Sequence, residues 1–255
     1  MRLGKVINRL GEENFNFQGC LMKIIEYNNT NDLYVKFQDS HKAIVHSAYR
    51  EFNNGRIQNP YYPNVLGVGI IGNKYNSKTK EYKTWHAMMC RCYDQKHKEL
   101  HPTYQDVTCC DEWLLYDNFY EWIHSQENFE NWLCDTIPEL DKDILVKGNK
   151  IYSPETCCLV PHIVNRIFIN RANDRGDYPI GVTKHRNRFR ARCDNPLLNI
   201  REHLGIYDTP EEAFYAYKNY KENLIKQVAT IEYKKKNITQ QCYKAMMNYE
   251  VEITD

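Results

Sequence analysis

The sequence predicts an α+β protein built of three modules. These are a small N-terminal antiparallel β barrel-like unit over residues 1–62, a middle module with a helical, aromatic-rich lead-in over 81–170, and a C-terminal three-stranded sheet plus one helix over 178–230. Three observations lead there. The apolar pattern changes from alternation to helical spacing and back to alternation. Turn-forming stretches separate the periodic segments, at 60–80 and at 170–179. Charge is also unevenly divided, with eleven basic against six acidic residues in 1–80, eight against fifteen in 81–170, fourteen against nine in 171–237 and one against three in the tail. Basic ends around an acidic middle suggest separate tasks: a basic module faces a polyanion, and an acidic one suits a cation.

The bulk numbers set limits. The chain has 255 residues, of which 42% are hydrophobic, enough for real cores and against a wholly disordered chain. The opening MRLGKVINRL lacks the apolar core and small-residue cleavage site of a signal peptide. No run approaches the roughly 18 apolar residues of a membrane span. Ten cysteines without a secretion signal point to free thiols in a reducing compartment.

In chain order, GCLMKIIEYNNTNDLYVKFQD (19–39) reads as a hairpin. Leu21, Lys23 and Ile25 alternate with Met22, Ile24 and Glu26, Asn28–Asn31 form the turn, and Leu33, Val35 and Phe37 share the next strand's face. HKAIVHSAYREF continues as a third strand into a turn at Asn53-Asn54-Gly55. Such a unit serves as a generic β module or as a docking barrel for nucleic acid or protein. In YKTWHAMMCRC, Trp85, Met88, Met89 and Cys92 fall on one helical face. The helical pattern continues over 111–133, where Trp113, Tyr116, Phe119, Tyr120 and Ile123 form an aromatic stripe suited to a core. In the last module IGVTKHRNRFRARC gives two strands about a turn near His185–Asn187, and NIREHLGIY gives a third. Thr209-Pro210-Glu211-Glu212 then opens a helix with a capping box, and Ala213, Tyr217, Tyr220, Leu224 and Val228 mark its apolar face. The tail beyond Lys234-Lys235-Lys236 is polar, with an amphipathic remnant.

The run RFRARC alternates strictly. Arg188, Arg190 and Arg192 share one face, while Phe189, Ala191 and Cys193 share the other. Lys184 and Arg186 precede them, and Arg201 comes on the next strand. Cations two apart on an exposed ribbon reach phosphates and base edges in a DNA major groove, which makes double-stranded DNA the expected partner.

The segment IGVTKHRNRFRARC…HLGIYDTPEEAFYAYKNY, about 50 residues, resembles an APETALA2-type DNA-binding domain. The resemblance rests on the glycine-valine start, the basic sheet and the joint LGIYDTPEEAFYAY. It implies a sheet laid in the major groove. The family's sheet tryptophans are replaced in part by Phe189 and His203.

The pieces TWHAMMCRCY, YQDVTCCDEWLLYDNFYEWI and LDKDILVKGNKIYSPETCCLVPHIVN resemble, in order, the phage or mobile-element HNH homing-endonuclease-like proteins that carry such a C-terminal domain. That resemblance implies an HNH-like (ββα-metal) middle: ELDKDIL as first strand, VKGNK as loop, TCCLVP as second strand and HIVNRIFIN as helix. It also implies a divalent cation, magnesium or manganese, if the core is active, and a bacterial cytoplasmic setting. Carried over, the catalytic positions are Asp141, Lys142, Asp143, Asn149 and His162, with Asp141 and Asn165 as metal ligands. Lys142 stands where the family's general-base histidine belongs, and a protonated lysine cannot take a proton from water. Alternation in a strand would aim Asp143 with Asp141 and away from Lys142, so that the two acids share a cation. The cysteine spacing, CxC then CC, argues against zinc, and Cys110 and Cys157 read as small apolar packing residues. Three functions therefore stay open: a metal-dependent endonuclease with a degenerate site, a catalytically inactive DNA-binding regulator, and a phage counter-defence inhibitor acting on a host protein.

Overall fold

The computed structural model describes residues 8–74, 76–168 and 178–254. Most of the second connection predicted from sequence, 170–177, lies outside them. The chain forms two compact units, neither of them continuous. The first holds the described residues up to Trp85 together with Asp111–Tyr120, and the second holds His86–Cys110 together with the described residues from Glu121 onward.

In the first unit, β1 (Glu13–Phe15), β2 (Leu21–Asn29), β3 (Asp32–Phe37) and β4 (Ile44–Ser47) form an antiparallel sheet in chain order. The predicted hairpin is present, with Asn29 opposite Asp32. Met22, Ile24, Leu33, Val35 and Phe37 line one buried face. The barrel-like closure expected from sequence does not occur: the sheet is open. Its edge strands have three and four residues, and four strands are too few to close on themselves. The predicted third strand stops at Ser47 and turns into a short helix, α1 (Tyr49–Asn53), whose Phe52, with Ile57, covers the apolar face instead. The turn falls where expected. Gly55 has φ +67°, and a methyl there would lie 2.9 Å from the Phe15 carbonyl oxygen.

The stretch 60–80 is more than a connection. Strands β5 (Pro63–Val65) and β6 (Gly69–Ile70) pair, and the Asp117 carboxylate accepts from the backbone of Asn73 at 2.9 Å and Lys74 at 2.8 Å. The chain then enters α2 (Lys80–Tyr93). Trp85 donates from Nε1 to the Trp113 carbonyl at 2.7 Å, and Trp85, Trp113, Tyr116 and Phe119 are fully buried. The aromatic stripe is thus core, with Tyr120 half-buried at its edge.

The second unit takes up α2 at Met88, Met89 and Cys92, all buried as their spacing predicts. It continues through α3 (Gln95–Leu100), capped by Asp94, then β7 (Thr108–Cys109), the last turn of α4 (Tyr116–His124) from Glu121 onward, and α5 (Phe129–Cys134). The single helical pattern over 111–133 is broken into three, a 3-10 turn (Asp111–Leu114) followed by α4 and α5. Ser125 Oγ and Gln126 Nε2 both donate to the Trp122 carbonyl, which ends α4 by local competition.

Next, β8 (Pro138–Asp141) pairs antiparallel with β10 (Cys158–Pro161), while the short β9 (Ile151–Tyr152) between them pairs with β7. Helix α6 (His162–Phe168) continues from β10 without a break. Then come β11 (Val182–His185), β12 (Arg188–Asn195) and β13 (Ile200–Tyr207) as one antiparallel sheet, α7 (Pro210–Lys234) and α8 (Gln240–Met247). The capping box opening α7 is present: Thr209 Oγ1 accepts from Glu212 N, and Glu212 Oε2 accepts from Thr209 N.

One core unites these elements. Val160, Val164 and Ile167 of the hairpin and helix pack with Val182, Ala191 and Cys193 of the sheet and with Tyr217, Leu224 and Val228 of α7. The polar tail closes it: Ile238, Cys242, Met246 and Val251 are buried in the same cluster. Asn128 donates to the Leu159 and Asn237 carbonyls, and Asn131 to those of Lys235 and Lys236. These four bonds bind the α7–α8 turn to α5 and β10.

Candidate functional site: the strand-strand-helix element and the basic sheet

The first candidate lies at the end of β8. The strand does not run through Leu145. Asp141 Oδ1 accepts from the backbone N–H of Asp143 at 2.7 Å and of Ile144 at 2.8 Å, and this side-chain turn ends the strand. Burial raises the Asp141 carboxyl above the ordinary carboxylate value, against the pull of the two backbone donors.

Lys142 turns inward, its side chain 9% exposed. Its ammonium donates to Asp143 Oδ2 at 2.6 Å and to the Asn149 carbonyl at 2.8 Å. Asn149 answers with Nδ2, which donates to the carbonyls of Lys142 at 2.9 Å and Ile151 at 2.7 Å. Asn149 and Lys142 therefore hold each other across the loop, and the Lys142 ammonium is already engaged. The alternation expected for Asp143 fails. Because the chain bends at 142–144, Asp143 meets Lys142 rather than turning away from it.

His162 opens α6, and its Nδ1 lies 3.2 Å from Glu139 Oε1, so Glu139 rather than Asp141 is the carboxylate that it meets. Asn165, one helical turn further, is half-buried. No motif in the sequence singles out Glu139, although it lies two residues before Asp141 on the strand that pairs with Pro161. These residues, as arranged, do not fit a divalent cation. Asp143 holds an ammonium, one Asp141 oxygen holds two backbone donors, and His162 is engaged by Glu139. Among the described residues no three His, Cys, Asp or Glu side chains form a metal-holding group. Of the cysteines, Cys157 is buried with its thiol pushed up to about 12, chiefly by burial, while Cys110 is half-buried. All ten are free.

The second candidate is the sheet. Ala191 and Cys193 face the core as alternation predicts, and Phe189 is half-buried against Tyr178. A register shift falls between Ala191 and Arg192. Lys184 and Arg186 are exposed, Arg186 at φ +56° in the β11–β12 turn. The Arg190 guanidinium donates to His185 Nδ1, and Arg192 donates to Thr183 Oγ1 at 3.5 Å. Arg188 pairs with Asp208 at 2.7 Å, both well exposed, and Arg201 grips both Asp194 oxygens, at 2.5 and 3.0 Å. Exposed pairs of this kind contribute about 0–1 kcal/mol, so a phosphate can replace the carboxylate at little cost.

Comparison with family models, with curated proteins and with solved structures found no match. The helices and small open sheets make the architecture mixed α+β, and no described helix is long and apolar enough to cross a membrane.

Proposed function

We propose that the protein binds double-stranded DNA through the sheet β11–β13, and that its strand-strand-helix element acts as a scaffold rather than a hydrolytic centre. One contrast between cations supports this reading. Lys142 is buried and spent on Asp143 and Asn149, whereas Lys184 and Arg186 face solvent and Arg190 and Arg192 hold only neutral partners. A phosphate backbone would take these four, with Arg188 and Arg201 released from their carboxylates. The two resemblances point the same way, toward a DNA-binding module beside an HNH-like relic in a phage or mobile element of a bacterial cell.

The test has two arms. Duplex binding is measured by fluorescence anisotropy across salt, for the wild type and for Arg186→Ala and Arg190→Ala. Each variant should weaken binding and lower the salt slope by about one phosphate contact. Absence of duplex affinity at low salt refutes the reading and favours a host-protein partner. Plasmid nicking is measured with magnesium, manganese and EDTA, beside Lys142→His. Wild-type nicking abolished by EDTA refutes the scaffold half.

A further inference from the structure

Where β12 outruns β11, the unit leaves an open edge. The β11–β12 pairing ends with Val182 opposite Ala191, Arg192 N still reaches the Gly181 carbonyl at 2.9 Å, and among the described residues Cys193–Asn195 pair only with β13. Beside that edge, bordered by α6 and α7, lies a cavity of about 850 Å³. Binding sites for small molecules fall at about 300–1,000 Å³. Its charged lining is one-sided: Arg166, Arg192, Arg201 and Lys221 against the single carboxylate of Asp194.

That carboxylate is already bound on both oxygens by Arg201. Arg192 has a hydroxyl for a partner, and neither Arg166 nor Lys221 makes an ion pair among the described residues. Lys221 is the most telling of the four. It is half-buried beside Cys193, and desolvation lowers its pKa against the opposing pull of Cys193 and Asp194. A cation removed from water without a bound anion is costly, and a site built to receive an anion has a reason to keep one. Three cations from three different elements, α6, β12 and α7, converge on one concave space.

We propose that this cavity binds the phosphate of a nucleotide, held by Arg166, Arg192 and Lys221. Its volume exceeds what a bare phosphate ion fills and leaves room for an attached sugar and base. The phosphate can come from a free nucleotide or from a nucleic-acid strand. The proposal stands whether or not the sheet binds a duplex.

The full chain is titrated calorimetrically with inorganic phosphate and with deoxyadenosine monophosphate, and by anisotropy with a duplex. Lys221→Met and Arg166→Gln are compared with the wild type, with circular dichroism verifying the fold. The expected result is saturable mononucleotide binding, weakened at least tenfold by either variant. If the same two variants also weaken duplex binding tenfold, the phosphate belongs to a strand. If they leave duplex binding unchanged, it belongs to a free nucleotide. The proposal is overturned by no saturable binding of either small probe at millimolar concentration, or by equal affinity in the wild type and Lys221→Met.

Discussion

Asn128 joins parts of the chain far apart in sequence, and its removal has a calculable cost. It is 3% exposed, and its Nδ2 donates to Leu159 O at 2.9 Å and to Asn237 O at 2.8 Å. Alanine removes both bonds, each contributing about 1 kcal/mol net. It also leaves the carbonyl of Leu159, a fully buried residue, without this donor, which costs about another 1 kcal/mol. The unpartnered Asn128 Oδ1 disappears too, a small gain. The sum is a loss of about 2–3 kcal/mol. Asn128→Asp should be worse at neutral pH, because a carboxylate accepts but cannot donate and would face two carbonyl oxygens. Urea unfolding monitored by tryptophan fluorescence measures both, and in thermal unfolding about 2–3 kcal/mol corresponds to a thermal midpoint roughly 4–12 °C lower for a chain of this size. A cost below about 0.5 kcal/mol for alanine, or aspartate tolerated as well as asparagine at neutral pH, would refute the argument.

Three further outcomes are expected. Asp141 has a folded pKa above its unfolded one, so its favourable contribution is full below the unfolded value and is lost as pH rises through the folded value. Asp141→Asn keeps the Oδ1 acceptor without the buried charge. It should therefore be more stable than wild type at pH 7, with the difference closing as pH falls through the acid range; a pH-independent difference contradicts this. Thr209→Ala should cost about 1 kcal/mol in a urea titration, since it opens the capping box of α7. Gly181→Ala should cost about 3 kcal/mol, because Gly181 has φ +78° and its new methyl would collide with the buried Tyr217 ring. A neutral effect on the thermal midpoint would show that β11 can shift to make room.

What the sequence revealed was local. The face of α2, the β2–β3 hairpin, the capping box and the inward set of β12 all come from spacing within a dozen residues. The sheet's openness was hidden because nothing in residues 19–39 tells how a sheet's edges end. Asp143's orientation was missed because the Asp141 side chain, not the strand's alternation, sets the backbone at 142–144. The break between α4 and α5 came from side chains at 125 and 126 that compete for a helix carbonyl. Helix α8 showed in the sequence only as an amphipathic remnant, because Cys242 and Met246 acquire meaning only against a core supplied from elsewhere. The basic strand was legible as composition. The cavity beside it was not, since Arg166, Arg192 and Lys221 meet only in the folded chain.

The interleaving of the two units bears on how such a gene can be rearranged. Residues 86–110 belong with the chain from Glu121 onward, while 111–120 belong with the chain up to Trp85. No single crossover transplants either unit whole: a junction at 85 strands Trp113 and Tyr116 from Trp85, and a junction at 120 carries Met88 and Cys92 away from their own unit. A recombinant inheriting one half from a diverged parent must therefore match at the aromatic core or lose it.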